Sequence, residues 1–283
     1  MLSMAKHIHG KLNRLQTELP EGMLVDAAWL QAKGYSSSLR SQYVRAGWLD
    51  QPARRVYRRS RGPLQWEQVV TSLQTALDYP LTIGGRSALE AQGYAHYLSA
   101  TVHEVHLYGP ERPPTWLAEL PLEVHFHYHN SRKLFPDHPS VPPRVRAPSE
   151  DFGEEPASLT PGGYMIGPGG TINWPLRYSS PERAVLELLD ELPNHESFHQ
   201  VDMLMEGMAN LSPRRLQELL GTCRSVKVKR LFFFFADRHQ HRWLGQIDKS
   251  VVDLGAGKRM LVKDGVLDPH YHITVPGDLN GVS

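Results

Sequence analysis

MLVDAAWLQAKGYSSSLRSQYVRAGWLDQPARRVYRRSR, residues 23–61, is the stretch whose reading decides the fold. It spells a helix, a tight turn, a second helix and a short basic strand pair, the layout of a winged helix-turn-helix. Val25, Ala28, Trp29 and Ala32 recur at helical spacing and predict one apolar face on the first helix. Gly34 suits a left-handed cap. Ser36, Ser37 and Ser38 each qualify as the cap of a second helix that runs through about Ala46. On it Leu39, Tyr43 and Val44 or Ala46 are expected to face inward. Ser37, Arg40, Ser41 and Arg45 then lie on the outer face, with Gln42 near its edge. Gly47 ends the helix, Trp48 and Leu49 open a strand, residues 50–53 read as the turn, and Val56 and Tyr57 anchor the returning strand.

The outer face has the chemistry of a major-groove reader. Arginine donates bidentately to guanine, glutamine pairs with adenine, and serine contacts bases or phosphates while letting the backbone approach closely. Arg54, Arg55, Arg58, Arg59 and Arg61 place positive charge beside it. Charge partition agrees. Residues 1–62 hold eleven Lys and Arg against four Asp and Glu, a net +7; the whole chain is +1, so the remainder carries −6. A basic head on an acidic body points to a nucleic-acid partner touched by the head alone.

The 283 residues allow two or three domains at roughly 100–200 residues each. The reading here is an α+β chain: a winged helix-turn-helix over residues 1–62 and a mixed domain with a helical block over 63–283. A single cysteine, Cys223, excludes an intrachain disulfide and a cysteine-rich zinc finger. The longest apolar run, LFFFFA, is too short to span a bilayer, and no signal peptide is legible, so no membrane partner and a cytoplasmic location are expected.

A first helix is predicted over residues 6–18, giving the head three helices. Residues 64–77 carry apolar positions near helical spacing. Gly84 and Gly85 shape a helix entry but lack the Lys-Ser/Thr of a phosphate-binding loop. Residues 101–108 and 122–129 read as strands, and residues 136–160 as a long proline-rich excursion. Ser180 with Pro181, Ser197 with Gln200 and Ser212 with Pro213 signal three short capped helices. Residues 226–244 continue as helix or, over Val226 to Phe235, as a buried strand; Phe232 to Phe235 are expected in the core. Asp264-Gly265 is expected to turn a final hairpin.

Among fifteen histidines, His125, His127 and His129 alternate on one strand and share a face. Without a carboxylate or cysteine nearby at ligand spacing, they are read as strand-surface residues rather than metal ligands. No nucleophile elbow, HExxH, P-loop or cysteine–histidine signature is present. No catalytic residue, cofactor or metal is therefore assigned. Arg214, Arg215, Arg224, Lys227, Lys229 and Arg230 form a second, smaller basic set. Two competing readings remain at this level: a protein-interaction module whose basic wing grips an acidic partner, and a metal-dependent enzyme using the His125 strand.

Taken in order, these segments resemble the AbiEi family of antitoxins from bacterial type IV toxin–antitoxin systems. The N-terminal part carries GWL, RRVYRR, QWEQVV and GGRSALEAQGY; the C-terminal part carries SPERAVLELLDELP, SFHQVDMLMEGM, LSPRRLQELL, VKVKRL, DLGAGKRMLV and HITVP. The resemblance implies an N-terminal winged helix-turn-helix that binds inverted repeats upstream of its own operon and represses it. It also implies a C-terminal domain that counteracts a nucleotidyltransferase-like toxin without a stable complex. Carried over by position, groove contacts fall to Ser37, Ser38, Arg40, Ser41, Gln42 and Arg45. Phosphate or minor-groove contacts fall to Arg54, Arg55, Arg58, Arg59 and Arg61. A monomer or a homodimer would fit the inverted repeats.

Overall fold

The chain is an α+β protein, seen in a computed structural model that describes residues 2–59, 62–94, 102–136, 158–169 and 174–279. Helix α1 (Leu2–Glu18) leads through a turn at Gly22 into strand β1 (Leu24–Asp26). Asp26 ends that strand and caps α2 (Ala27–Ala32), its carboxylate accepting from Trp29 N at 2.7 Å. Gly34, at φ +86°, makes the turn. Ser36 caps α3 (Ser37–Arg45), accepting from Leu39 N at 3.3 Å. Strands β2 (Asp50–Ala53) and β3 (Val56–Arg58) follow, and β3 lies between β1 and β2 in an antiparallel three-stranded sheet.

Two details of the head differ from the sequence reading. Val25 belongs to β1, because the Asp26 cap starts the helix only at Ala27; α2 therefore buries Ala27 and Leu30, while Ala28 and Ala32 are exposed. Residues 50–53 are strand rather than turn. Arg54 and Arg55 make the turn, Arg55 taking a left-handed φ of +64°, and Pro52 is tolerated because β2 is an edge strand.

Alternation along β1 and β3 joins the head to the body. Val25 and Tyr57, opposite one another, enter a core with Leu15, Leu19, Leu30, Tyr35 and Tyr43. Leu24 and Val56 point the other way, into the large core of the body. The register is locked by Ser72 Oγ, which accepts from Leu24 N at 2.8 Å in a buried setting.

The body begins with α4 (Trp66–Gln74), β4 (Thr82–Ile83), α5 (Gly85–Ala91), β5 (Glu104–Gly109) and β6 (His125–Asn130). Strands β7 (Ser158–Thr160), β8 (Tyr164–Gly169) and β9 (Trp174–Ser179) complete a six-stranded sheet in the order β6-β5-β4-β9-β8-β7. The β4–β9 and β5–β6 pairs are parallel and the rest antiparallel. Strands β8 and β9 escape a sequence reading because each holds a proline; the register sets Pro168 opposite Pro175. Most of the proline-rich excursion, residues 137–157, lies outside the described residues.

Helices α6 (Pro181–Asp190), α7 (Phe198–Glu206), α8 (Pro213–Thr222) and α9 (Val226–His239) form the helical block. Ser212 caps its helix as expected, accepting from Arg215 N at 3.4 Å. Ser180 and Ser197 occupy cap positions without side-chain cap bonds, and Ser180 Oγ donates to Glu182 instead. Phe232 to Phe235 lie in α9 and are all buried. The last hairpin pairs β10 (Val266–Leu267) with β11 (Thr274–Val275). Its loop is therefore residues 268–273, held by the Asp268 carboxylate, which accepts from His270 N and Tyr271 N, while Asp264-Gly265 is only the turn that precedes it.

Candidate nucleic-acid interface

Ser37, Ser38, Ser41, Gln42 and Arg45 are exposed along one side of α3. Ser36 Oγ lies 3.0 Å from Ser38 Oγ, and Arg45 Nε reaches the Ser41 carbonyl at a loose 3.4 Å. This side of the helix is polar, narrow and close to backbone, as a groove-reading helix requires.

Arg40 is not on that side. It is buried at 7% exposure and turned inward, with Nη1 donating to the carbonyls of Ala27 (2.8 Å) and Tyr35 (3.2 Å) and its guanidinium over the Tyr57 ring. The reason is helical spacing: Arg40 stands three and four residues before Tyr43 and Val44, on the packed face.

The wing divides in the same way. Arg54 and Arg55 are exposed at the hairpin tip, beside a cleft of about 440 Å³ between the head and Thr115, Trp116 and Glu119 of the body. Arg58 is buried, donating from Nη2 to the Gly62 carbonyl at 2.8 Å, with Nε 3.5 Å from Asp50. Arg59 closes the C-terminal end of α1: Nη1 donates to the carbonyls of Gln16 and Leu19, and Nη2 to Glu21 at 3.0 Å. Arg58 and Arg59, read from the sequence as DNA contacts, are thus engaged within the head. Arg61 lies outside the described residues.

The second basic set is also largely occupied. Arg215 pairs with Glu182 at 2.7 Å, Lys227 with Asp190 at 3.4 Å, and Arg230 donates to the carbonyls of Leu254 and Gly257, both at 2.7 Å. The glycine pair is no phosphate cradle: Gly85 N donates to Glu187 at 3.0 Å, and Tyr108 packs where a Cβ on Gly84 would stand.

What sequence reasoning missed is a second polar constellation. Parallel pairing aligns His106 with His127 and Tyr108 with His129, so both strands present alternate residues to one cleft of about 850 Å³. The rings of Tyr108, His129, His106 and His127 follow one another with centroids 4.5, 5.1 and 5.3 Å apart, and His129 Nε2 lies 2.9 Å from His106 Nδ1. Contrary to the expectation that no carboxylate stands near, Glu104 lies 3.5 Å from His127 Nε2, and Glu191 lies 2.9 Å from His129 Nδ1. The alternation Glu104, His106, Tyr108 was the available signal. His106 is buried, and its imidazole is pushed down to about 4, by burial first and then by His129 and His127.

The three-helix head with its short wing, joined to an α+β body, has the layout of a winged helix-turn-helix protein. Residues 8–100 match the family described as transcriptional regulator, AbiEi antitoxin N-terminal domain, and residues 171–276 match transcriptional regulator, AbiEi antitoxin, type IV TA system. The chain belongs to this AbiEi family of type IV antitoxins. Its fold is also similar to the Rv2827c protein of Mycobacterium tuberculosis, known from a crystal structure, at 14% identity and a TM-score of 0.51 over 93% of this chain and 88% of that one. No curated protein matches the chain. Among the described residues, no helix is long and apolar enough to cross a membrane.

Proposed function

We propose that the chain represses its own toxin–antitoxin operon by binding inverted repeats upstream of it through α3 and the wing tip. The observation that carries this reading is the exposed row Ser37, Ser38, Ser41, Gln42 and Arg45 on a capped helix of the head. Arg54 and Arg55 add the phosphate contacts. Arg40, Arg58 and Arg59 serve the head's own integrity and are withdrawn from the contact set. Either two monomers or a dimer occupies the two repeats. The body counteracts a nucleotidyltransferase-like toxin encoded alongside, without a stable complex; family membership supports that part.

Fluorescence anisotropy of the full chain on the DNA upstream of its gene, against a scrambled duplex over a salt series, tests the repressor. Tighter upstream binding that persists near physiological salt is expected. Equal, salt-sensitive binding to both duplexes overturns base reading.

A further inference from the structure

We propose that the loop of residues 255–259 is a binding site for a phosphate group, held by the backbone N–H groups of Ala256 and Lys258 and by the side chains of Lys258 and Arg259. The inference does not rest on the DNA reading. It starts from Arg230 of α9, which is buried and spends its donors on the carbonyls of this loop. Nε donates to Leu254 O at 2.7 Å, Nη1 to Gly257 O at 2.7 Å and Nη2 to Gly255 O at 3.1 Å. A trans peptide sets its N–H opposite its C=O, and the loop has no cis bond. With those three carbonyls turned inward, the N–H groups of Gly255, Ala256 and Lys258 turn outward. Gly255 at φ +60° and Gly257 at φ +77° give the backbone the left-handed turns this needs. Successive N–H groups on one side of a turn form an anion-binding concavity. Asp253 Oδ1 takes the first of them, Gly255 N, at 2.7 Å. The N–H groups of Ala256 and Lys258 have no hydrogen-bond partner among the described residues, and both residues are exposed.

Charge points the same way. Between Asp253 and Asp264 the chain carries Lys258, Arg259 and Lys263 and no acid. The side chains of Lys258 and Arg259 are exposed and make no ion pair or hydrogen bond among the described residues. Burial first, and then the charge of Arg259, hold the Arg230 guanidinium below its ordinary value, and no carboxylate offsets them. The loop is therefore a positive locus on an acidic body. A phosphate presents several oxygens to charge-assisted donors, and two N–H groups, an ammonium and a guanidinium supply them. Arg230 fixes the concavity in advance, so little ordering is lost on binding. The group belongs to free phosphate, a nucleotide or a nucleic-acid backbone, and the test separates these sources.

The test follows the backbone amides of isotope-labelled full-length protein by NMR as inorganic phosphate is added, with chloride at matched ionic strength as the control. Saturable shifts at Ala256 and Lys258 are expected. Lys258→Ala and Arg259→Ala, both at exposed side chains, should each weaken binding by about tenfold, while Lys133→Ala, at an exposed lysine elsewhere on the body, leaves it unchanged. AMP and the upstream duplex are then added in separate arms. Tighter binding of AMP than of phosphate assigns the group to a nucleotide. Shifts of the same amides with the duplex, reversed by inorganic phosphate, assign it to nucleic acid; neither result leaves free phosphate as the ligand. The phosphate arm contains no DNA, so a failure of the repressor reading does not touch it. Absence of any saturable shift with phosphate overturns the proposal. So do shifts that chloride reproduces, or that both variants leave intact.

Discussion

Arg40 Nη1 donates to the Ala27 carbonyl at 2.8 Å and so ties the inner side of α3 to the first turn of α2. The same nitrogen serves the Tyr35 carbonyl, at the turn between the two helices. One guanidinium therefore sets how α3 is presented. Arg40→Ala leaves two inward carbonyls without their donor and should destabilise the chain by about 1–3 kcal/mol. Arg40→Lys should recover little, since a single ammonium replaces a planar fork. Urea unfolding measures this; an unchanged midpoint in Arg40→Ala removes the structural role.

Arg45 is the arginine of α3 that remains for base or phosphate contact. Arg45→Ala should leave the unfolding midpoint within about 0.5 kcal/mol of wild type, as surface changes usually do. It should weaken upstream-DNA binding by about 1–3 kcal/mol if it reads a base. A loss of equal size on scrambled DNA would assign it to phosphate instead.

At the wing tip, charge and backbone strain are separable. Arg55 holds φ +64°, a conformation that costs an L-residue roughly 1 kcal/mol relative to glycine. Arg55→Gly should therefore raise stability slightly while removing a phosphate contact and lowering the salt slope by about 1. The two changes carry opposite signs, which a general loss of structure would not produce. A salt slope equal to wild type would remove Arg55 from the interface.

These expectations show where sequence was enough. Three helices and a basic hairpin were legible because Gly34 and the serine cluster mark the turn and the cap of α3, although the apolar stripe read on the preceding helix, Val25, Ala28, Trp29 and Ala32, is not its buried face. The facing of individual arginines was not, since five basic side chains in residues 54–61 look alike until packing selects among them. Arg40 is the exception: its three- and four-residue spacing to Tyr43 and Val44 places it on the inner face of α3. The histidine cleft needed the β5–β6 pairing, a parallel contact across a crossover that no local pattern encodes. Glu191 reaches it from the end of α6, far along the chain.

One face of the head's sheet packs into the body's core, so head and body should unfold together. Leu24 and Val56 lie in the body's core while their neighbours Val25 and Tyr57 fill the head's. Ser72→Ala strands the buried Leu24 N–H and should cost about 1–3 kcal/mol. A head-specific probe, Trp48 or Trp29 fluorescence in single-tryptophan variants, should shift with far-UV circular dichroism. A head transition that moves alone would show that the junction does not couple the two parts.

Acidification should weaken the fold through the histidine cleft. Unfolded, His106 takes a proton near its ordinary value of 6.5; folded, it stays neutral to about 4. Between those values the unfolded chain binds more protons, so stability falls as pH falls. Glu191 acts in the same direction. Burial alone would raise its carboxyl, but the hydrogen bond and charge of His129 outweigh burial and hold it low. Its contribution is present above the unfolded carboxylate value and is lost as pH drops through the lower folded one. In chelator-containing buffer, stability should decline between pH 7 and pH 4 by about 2–3 kcal/mol from His106 alone. His106→Gln should flatten the slope over that window whatever its stability at neutral pH. An identical slope in wild type and variant would mean that His106 titrates normally in the folded chain and that the buried, neutral imidazole is wrong.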